Sequence, residues 1–185
     1  MATKTTDMAT PRQPGLNAVF TDRGDDDEIP YIKVRSQRNA DGTEVHVWEK
    51  WVAFNVDPLY LALFARYDPG MIVRHHGHHS PHTLLVLGGS IRCGDVDLGP
   101  GDHVELPLGA SFGPFEAGPE GAELYEVMMG DPRSWSDDED SMVALLAARG
   151  AERLPDPAID LPGGLEDLRQ VYARAEALAA EADPD

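Results

Sequence analysis

Cysteine is almost absent from this 185-residue chain, where Cys93 stands alone. One thiol cannot form an intramolecular disulfide, and a Cys-based zinc site is excluded with it. Basic residues are scarce too: 15 Lys and Arg against 33 Asp and Glu, a formal net charge of −18. That balance argues against nucleic-acid binding, which needs a basic face for phosphates, and against docking on anionic membranes. No apolar run reaches the roughly 20 residues that a membrane-spanning helix requires. The most apolar stretch, Val52 to Ala65, is broken by Asn55, Asp57 and Pro58. The N-terminal residues lack the apolar segment of a secretory signal, so a cytoplasmic protein is expected. No phosphate loop, nucleophile-elbow serine or CxxC pair occurs.

What is present suffices for a core, since 42% of the residues are hydrophobic. Length favours one domain with terminal extensions. Residues 1–15 read as a flexible tail, and the acidic run at 25–28 reads as a solvated turn. Short segments rich in Val, Leu, Tyr and Trp follow, punctuated by Gly, Pro and Asp. The strands expected are Ile29–Arg35, Glu44–Val56, Tyr60–Tyr67, Met71–His76, Thr83–Leu87, Ser90–Cys93, Val104–Leu106 and Leu124–Met129. Many short strands at regular spacing predict an antiparallel sandwich or barrel over 16–132. Beyond it, 133–185 reads as a helical extension. Ser136 and Glu139 have the spacing of a capping box, and Gly150 is placed to end the helix they open. A second helix is expected from about Leu165 to Ala182, with Leu165, Leu168, Val171, Tyr172, Ala175 and Leu178 on one stripe. That stripe packs either on its own barrel or on a second copy in a homodimer.

Five of the seven histidines fall between positions 75 and 82: His75, His76, His78, His79 and His82. Residues two apart on a strand share a face, so His76 and His78 form a forked pair around Gly77. Pro81 marks a turn, and His82 opens the next strand, from which it can supply a third imidazole. Neutral imidazole suits Zn, Cu, Fe and Ni. His75 and His79 are out of phase with the pair and are expected to face away. The other reading of the cluster is a set of polar residues at a barrel mouth that hold no metal.

The pattern around these histidines resembles the cupin superfamily. Gly70, His76, His78 and Gly89 match the first cupin motif in spacing, with His82 at the position of its glutamate. Gly101, Pro107 and Gly109 match the second, with Phe112 in place of its histidine and Glu116 in place of its asparagine. The resemblance spans residues 70–116. It implies an all-β, cupin-type double-stranded β-helix, a jelly-roll barrel, here followed by two C-terminal helices. It also implies a single divalent metal ion, with His76, His78 and His82 as its ligands. Iron(II) is favoured, with Zn, Mn, Ni and Cu as alternatives. Three neutral ligands leave the ion its full charge, which favours an anionic substrate.

Further site candidates come from alternation along the strands. His103 and Glu105 share a face; turned inward, Glu105 could ligate or act as general base, and turned outward it is a solvated charge. Tyr125, on the face of Glu123, could donate to a substrate or simply pack. Phe112 and Arg74 are expected to shape the substrate pocket. Cys93 is read as structural. The segment from Pro69 to Gly94 holds no acidic residue but contains Arg74 and Arg92, a cationic exception in an acidic chain. The resemblance thus points to a metal-dependent enzyme for a small anionic or enolisable substrate, with dioxygenase chemistry that cleaves a C–C bond as the leading reading. A non-oxidative isomerase or lyase and a non-catalytic sensing module are the alternatives.

Overall fold

The computed structural model describes residues 22–25, 29–136, 138–159, 165 and 167–182. The expected tail and residues 26–28 of the acidic run lie outside the described residues. The chain runs β1 (Ile32–Arg38), β2 (Glu44–Val56), β3 (Leu59–Tyr67), β4 (Ile72–Val73), β5 (His76–His79), β6 (His82–Cys93), β7 (Val96–Leu98), β8 (His103–Leu106), β9 (Ser111–Phe112), β10 (Phe115–Met128) and β11 (Asp131–Trp135). Helix α1 (Glu139–Arg149), β12 (Glu152–Arg153) and helix α2 (Leu168–Ala182) complete it.

All pairings are antiparallel. The larger sheet has the order β12-β1-β2-β3-β10-β6-β7, with β4 also on β10 and β8 also on β6. The smaller has the order β11-β5-β9. The two antiparallel sheets enclose one apolar interior, an all-β sandwich of jelly-roll type. Strict alternation builds that interior. Leu61, Leu63, Ala65 and Tyr67 of β3 face Leu124 and Met128 of β10, and Leu84 and Val86 of β6 join them. Such faces are fixed by period two, so a one-residue slip would turn the whole set outward. At Gly89 the backbone has φ 65°, and a Cβ there would meet the Gly121 carbonyl at 2.1 Å. That close approach requires glycine.

The predicted β2 matches the observed one end to end. The expected Thr83–Leu87 and Ser90–Cys93 are a single strand, β6, and the expected Leu124–Met129 is the second half of β10. The expected Met71–His76 divides into β4 and β5, because Arg74 and His75 leave the larger sheet for the smaller one. Strand β11 was not foreseen. Asp131 to Trp135 shows no alternation, and Pro132 argues against a strand; only the tertiary partner β5 makes it one.

Helix α1 is capped otherwise than expected. Asp138 is the N-cap, and its carboxylate accepts from the Ser141 N–H at 3.1 Å. Ser136 instead donates to the His75 carbonyl at 2.8 Å, tying the segment before the helix to the start of β5. Gly150 ends the helix in the left-handed conformation, as its position predicts. In α2, Val171 is buried and Tyr172 lies edge-on to His79, with ring centroids 4.6 Å apart, while Leu178 is exposed. The start of the expected stripe therefore packs on this chain's own β5. No helix among the described residues is long and apolar enough to cross a membrane.

Candidate functional site

The smaller sheet carries the forked histidine pair. Gly77 sits between the two because nothing larger fits: a Cβ there would meet the Ala110 carbonyl oxygen and the Trp135 ring, each at 2.5 Å. Strands β9 and β11 close on β5 from both sides at this point. The imidazoles of His76 and His78 project inward, with ring centroids 5.2 Å apart. His76 Nδ1 donates to the Arg74 carbonyl at 2.8 Å, and His78 Nδ1 donates to the Pro132 carbonyl at 2.7 Å. A carbonyl only accepts, so each Nδ1 carries the proton and each Nε2 keeps its lone pair. Burial, with a contribution from neighbouring His78, lowers the His76 pKa to about 3. Burial and His82 lower that of His78 to about 4. Both rings are therefore neutral near pH 7, the state in which imidazole donates to a metal.

His82 stands behind this pair. Its ring is 4.7 Å from that of His78 and 5.2 Å from that of Phe112. It is almost completely buried, and its Nε2 pairs with Glu126 Oε2 at 3.0 Å. The carboxylate accepts, so Nε2 is the donor, and Nδ1 has no partner among the described residues. Glu126 was missed in the sequence. Leu124-Tyr125-Glu126-Val127-Met128 has large apolar groups on both faces, so alternation does not say which face is inside. The β10 register settles it: Leu124, Glu126 and Met128 point in.

These groups line a cavity of ≈ 60 Å³, small enough to hold only a few atoms. Its lining includes His76, His78, Glu126 and Glu49, together with the more exposed Arg35 and Arg74. His82 is not part of the lining. Burial pushes the Glu49 carboxyl up to about 7, against a hydrogen bond from Trp51 Nε1 that favours the ionised form. Tyr67, also in the lining, is raised well above its ordinary value by burial.

Among the described residues, no group of three His, Cys, Asp or Glu is arranged to hold an ion. The three expected imidazoles do lie together, with the His78 ring 5.2 Å from that of His76 and 4.7 Å from that of His82. His76 and His78 have the tautomer and the carbonyl anchors of metal-binding histidines. His82 spends its Nε2 on Glu126 instead. The metal-ligating side chains in the cavity lining are two imidazoles and two carboxylates, a donor set that suits a divalent ion once one carboxylate swings in.

The other candidates separate. Phe112 packs against His76 at 5.0 Å between ring centroids but, like His82, is not part of the cavity lining, whereas Arg74 is. Glu105 and His103 lie on the exposed face of β8, where His103 meets Thr83 Oγ1 at 2.5 Å. Glu105 is thus remote from the interior, since Val104 and Leu106 are the more buried pair of that strand. Tyr125 also faces outward, packed against Phe64 with ring centroids 5.2 Å apart. The reason is the same parity that turns Glu126 in. His75 and His79 face away from the cavity, toward Ser111 and Tyr172.

Fold and interior together define an all-β barrel with an imidazole- and carboxylate-lined cavity. No family model matches the chain, and no curated protein matches it. Solved structures do resemble it. An acetylacetone dioxygenase from Acinetobacter johnsonii is 11% identical with a TM-score of 0.49, over 74% of this chain and 99% of that one. The polyketide cyclase RemF from Streptomyces resistomycificus is 16% identical with a TM-score of 0.48, over 68% and 94%. An RmlC-like cupin from Shewanella frigidimarina is 20% identical with a TM-score of 0.40, over 51% and 80%.

Proposed function

We propose that the chain is a metal-dependent enzyme that acts on a small anionic or enolisable carbonyl compound in the histidine-lined cavity. One observation carries this reading: His76 and His78 each anchor Nδ1–H on a backbone carbonyl, which leaves both Nε2 lone pairs free for an ion. Glu126 is the third donor, and His82 orients its carboxylate. Two histidines with one carboxylate and open positions is the donor set of non-haem iron(II) oxygenases, so iron(II) remains the favoured ion over Zn, Mn, Ni and Cu. When bound, such an ion supplies Lewis acidity and, as iron(II), a position for O₂. Glu49, with its pKa near 7, takes a proton from the carbon next to the substrate carbonyl. Phe112 and Phe115 pack against the His76 ring and shield it from water on that side.

The leading reaction is oxygen-dependent C–C cleavage. The non-oxidative alternative, an isomerase or lyase, draws on the same Glu49 base. Metal analysis of protein purified without a His-tag tests the reading. About one equivalent of metal is expected after reconstitution, lost in His76→Ala and His78→Ala and weakened in Glu126→Gln. O₂ uptake with a β-dicarbonyl substrate supports the oxygenase, and turnover under argon supports the alternative. Protein that takes up no metal, or takes it up equally well in the double His76→Ala/His78→Ala variant, overturns both.

A further inference from the structure

The rim of the cavity has a feature that the donor set does not explain. Strand β1 carries one extra residue against β2, between Lys33 and Arg35. Lys33 pairs with Trp48 and lies over its indole at 5.2 Å, on the outer face. Simple alternation would put Arg35 on that face as well. The bulge instead sets Arg35 opposite Val47, whose side chain points inward, so Arg35 enters the cavity wall. Arg74, just beyond β4, lines the same cavity. They are the only two Arg or Lys side chains among its described lining residues, in a lining that also carries Glu49 and Glu126.

Both guanidiniums face carboxylates of the chain's own C-terminal segment. Arg74 Nη1 is 2.7 Å from Glu139 Oε1, at the first residue of α1. Arg35 Nη1 is 3.8 Å from Asp156 Oδ2, beyond hydrogen-bond reach. The one hydrogen bond that Arg35 makes among the described residues goes to the Val34 carbonyl. Arg153 bridges the two acids, 3.6 Å from Glu139 and 2.8 Å from Asp156. Asp156 Oδ1 is buried with no partner among the described residues.

We infer that Arg35 and Arg74, which line both the histidine cavity and the neighbouring cleft that holds Arg153 and Asp156, form a carboxylate-binding subsite between the two, with the chain's own Glu139 and Asp156 beside it. This deepens the proposed function and rests on it for the reacting end of the substrate. A planar guanidinium binds carboxylate in a fork, and Glu139 on Arg74 shows one position such a group can take. Glu139 is half exposed, so its ion pair is weak and readily exchanged. A short oxo acid would place its carboxylate on the arginines and its carbonyl toward His76, His78 and Glu49. A cavity of ≈ 60 Å³ limits it to a few carbons. The opposite orientation would bring its carboxylate against Glu49 and Glu126.

Acetoacetate and its methyl ester, which lacks the charge, are the probes, titrated by NMR into the full chain after metal removal with EDTA. Acetoacetate is expected to bind saturably, with the ester at least 10-fold weaker. Arg35→Met and Arg74→Met should each weaken acetoacetate at least 10-fold. Glu139→Gln and Asp156→Asn should tighten it two- to fivefold, an effect that damage to the fold cannot produce. Equal binding of the ester, unchanged affinity in both arginine variants, or no binding even in Glu139→Gln/Asp156→Asn overturns the subsite. Loss of binding in His76→Ala with full affinity in the arginine variants also overturns it and leaves the metal reading intact. Acetoacetate that titrates on the arginines of a chain taking up no metal defeats the metal reading alone.

Discussion

Gly77 offers a direct test of how the histidine pair is held. In Gly77→Ala the new methyl would lie 2.5 Å from the Ala110 carbonyl oxygen and 2.5 Å from Trp135 Cζ2. Neither contact is tolerable for a Cβ. The carbonyl belongs to the chain just before β9, and the ring belongs to β11, so relief requires that one of β5's two partners retreat. Overpacking of this kind costs about 1–3 kcal/mol. For a chain of this size each kcal/mol lowers Tm by roughly 2–4 °C, so a fall of about 2–12 °C is expected. Gly99→Ala is the control. A Cβ at Gly99 meets nothing within 4 Å, and its backbone is not in the left-handed region. That variant should be neutral, or gain up to about 1 kcal/mol from a stiffer unfolded chain. Urea denaturation and thermal melting give both values. The same displacement moves the Pro132 carbonyl that fixes His78, so metal uptake should fall in parallel. A Gly77→Ala protein within about 0.5 kcal/mol of wild type, with normal metal uptake, would refute the argument that β9 and β11 clamp the pair.

Three further outcomes are expected. Asp138→Ala should cost about 0.5–2 kcal/mol through loss of the α1 cap, whereas Ser136→Ala should leave the start of the helix intact, as read by denaturation and amide exchange over 139–143. Tyr125→Phe and Glu105→Gln should keep turnover within about twofold of wild type, because both side chains lie outside the barrel; a tenfold loss in either would return it to the site. Glu49 has a folded-state pKa of about 7 against an ordinary 4.5, so the folded chain holds this proton more tightly than the unfolded one. Stability of the metal-free protein should therefore fall as pH rises from about 4.5 through 7, by about 3 kcal/mol from this group. Glu49→Gln should flatten that part of the curve, and an unchanged slope would place the carboxylate in water.

Much of this architecture is legible in local pattern. Val, Leu and aromatic residues at period two mark β2, β3 and β6, and the His76-Gly77-His78 fork follows from that period alone. The −18 charge argues against nucleic-acid and anionic-membrane partners, and the single cysteine excludes an intramolecular disulfide, without any coordinates. Spacing also places Phe112 against the fork, because the two cupin-like motifs are written in positions, not contacts. These features depend on neighbours within a few residues, and a sequence displays such neighbours directly.

The composition of the site depended on register between strands far apart in the chain. Which face of Leu124 to Met128 turns inward is decided by pairing with β3 and β6, and that choice brings Glu126 to His82 and sends Tyr125 out. One extra residue in β1 turns Arg35 from the surface to the cavity, and no local pattern marks it. Strand β11 exists because β5 offers its edge, and its Pro132 carbonyl then fixes the tautomer of His78. The sequence by itself determined an acidic, all-β barrel with a histidine fork. Tertiary pairing decided which acids and arginines face that fork, because a strand has two faces and only its partners choose between them.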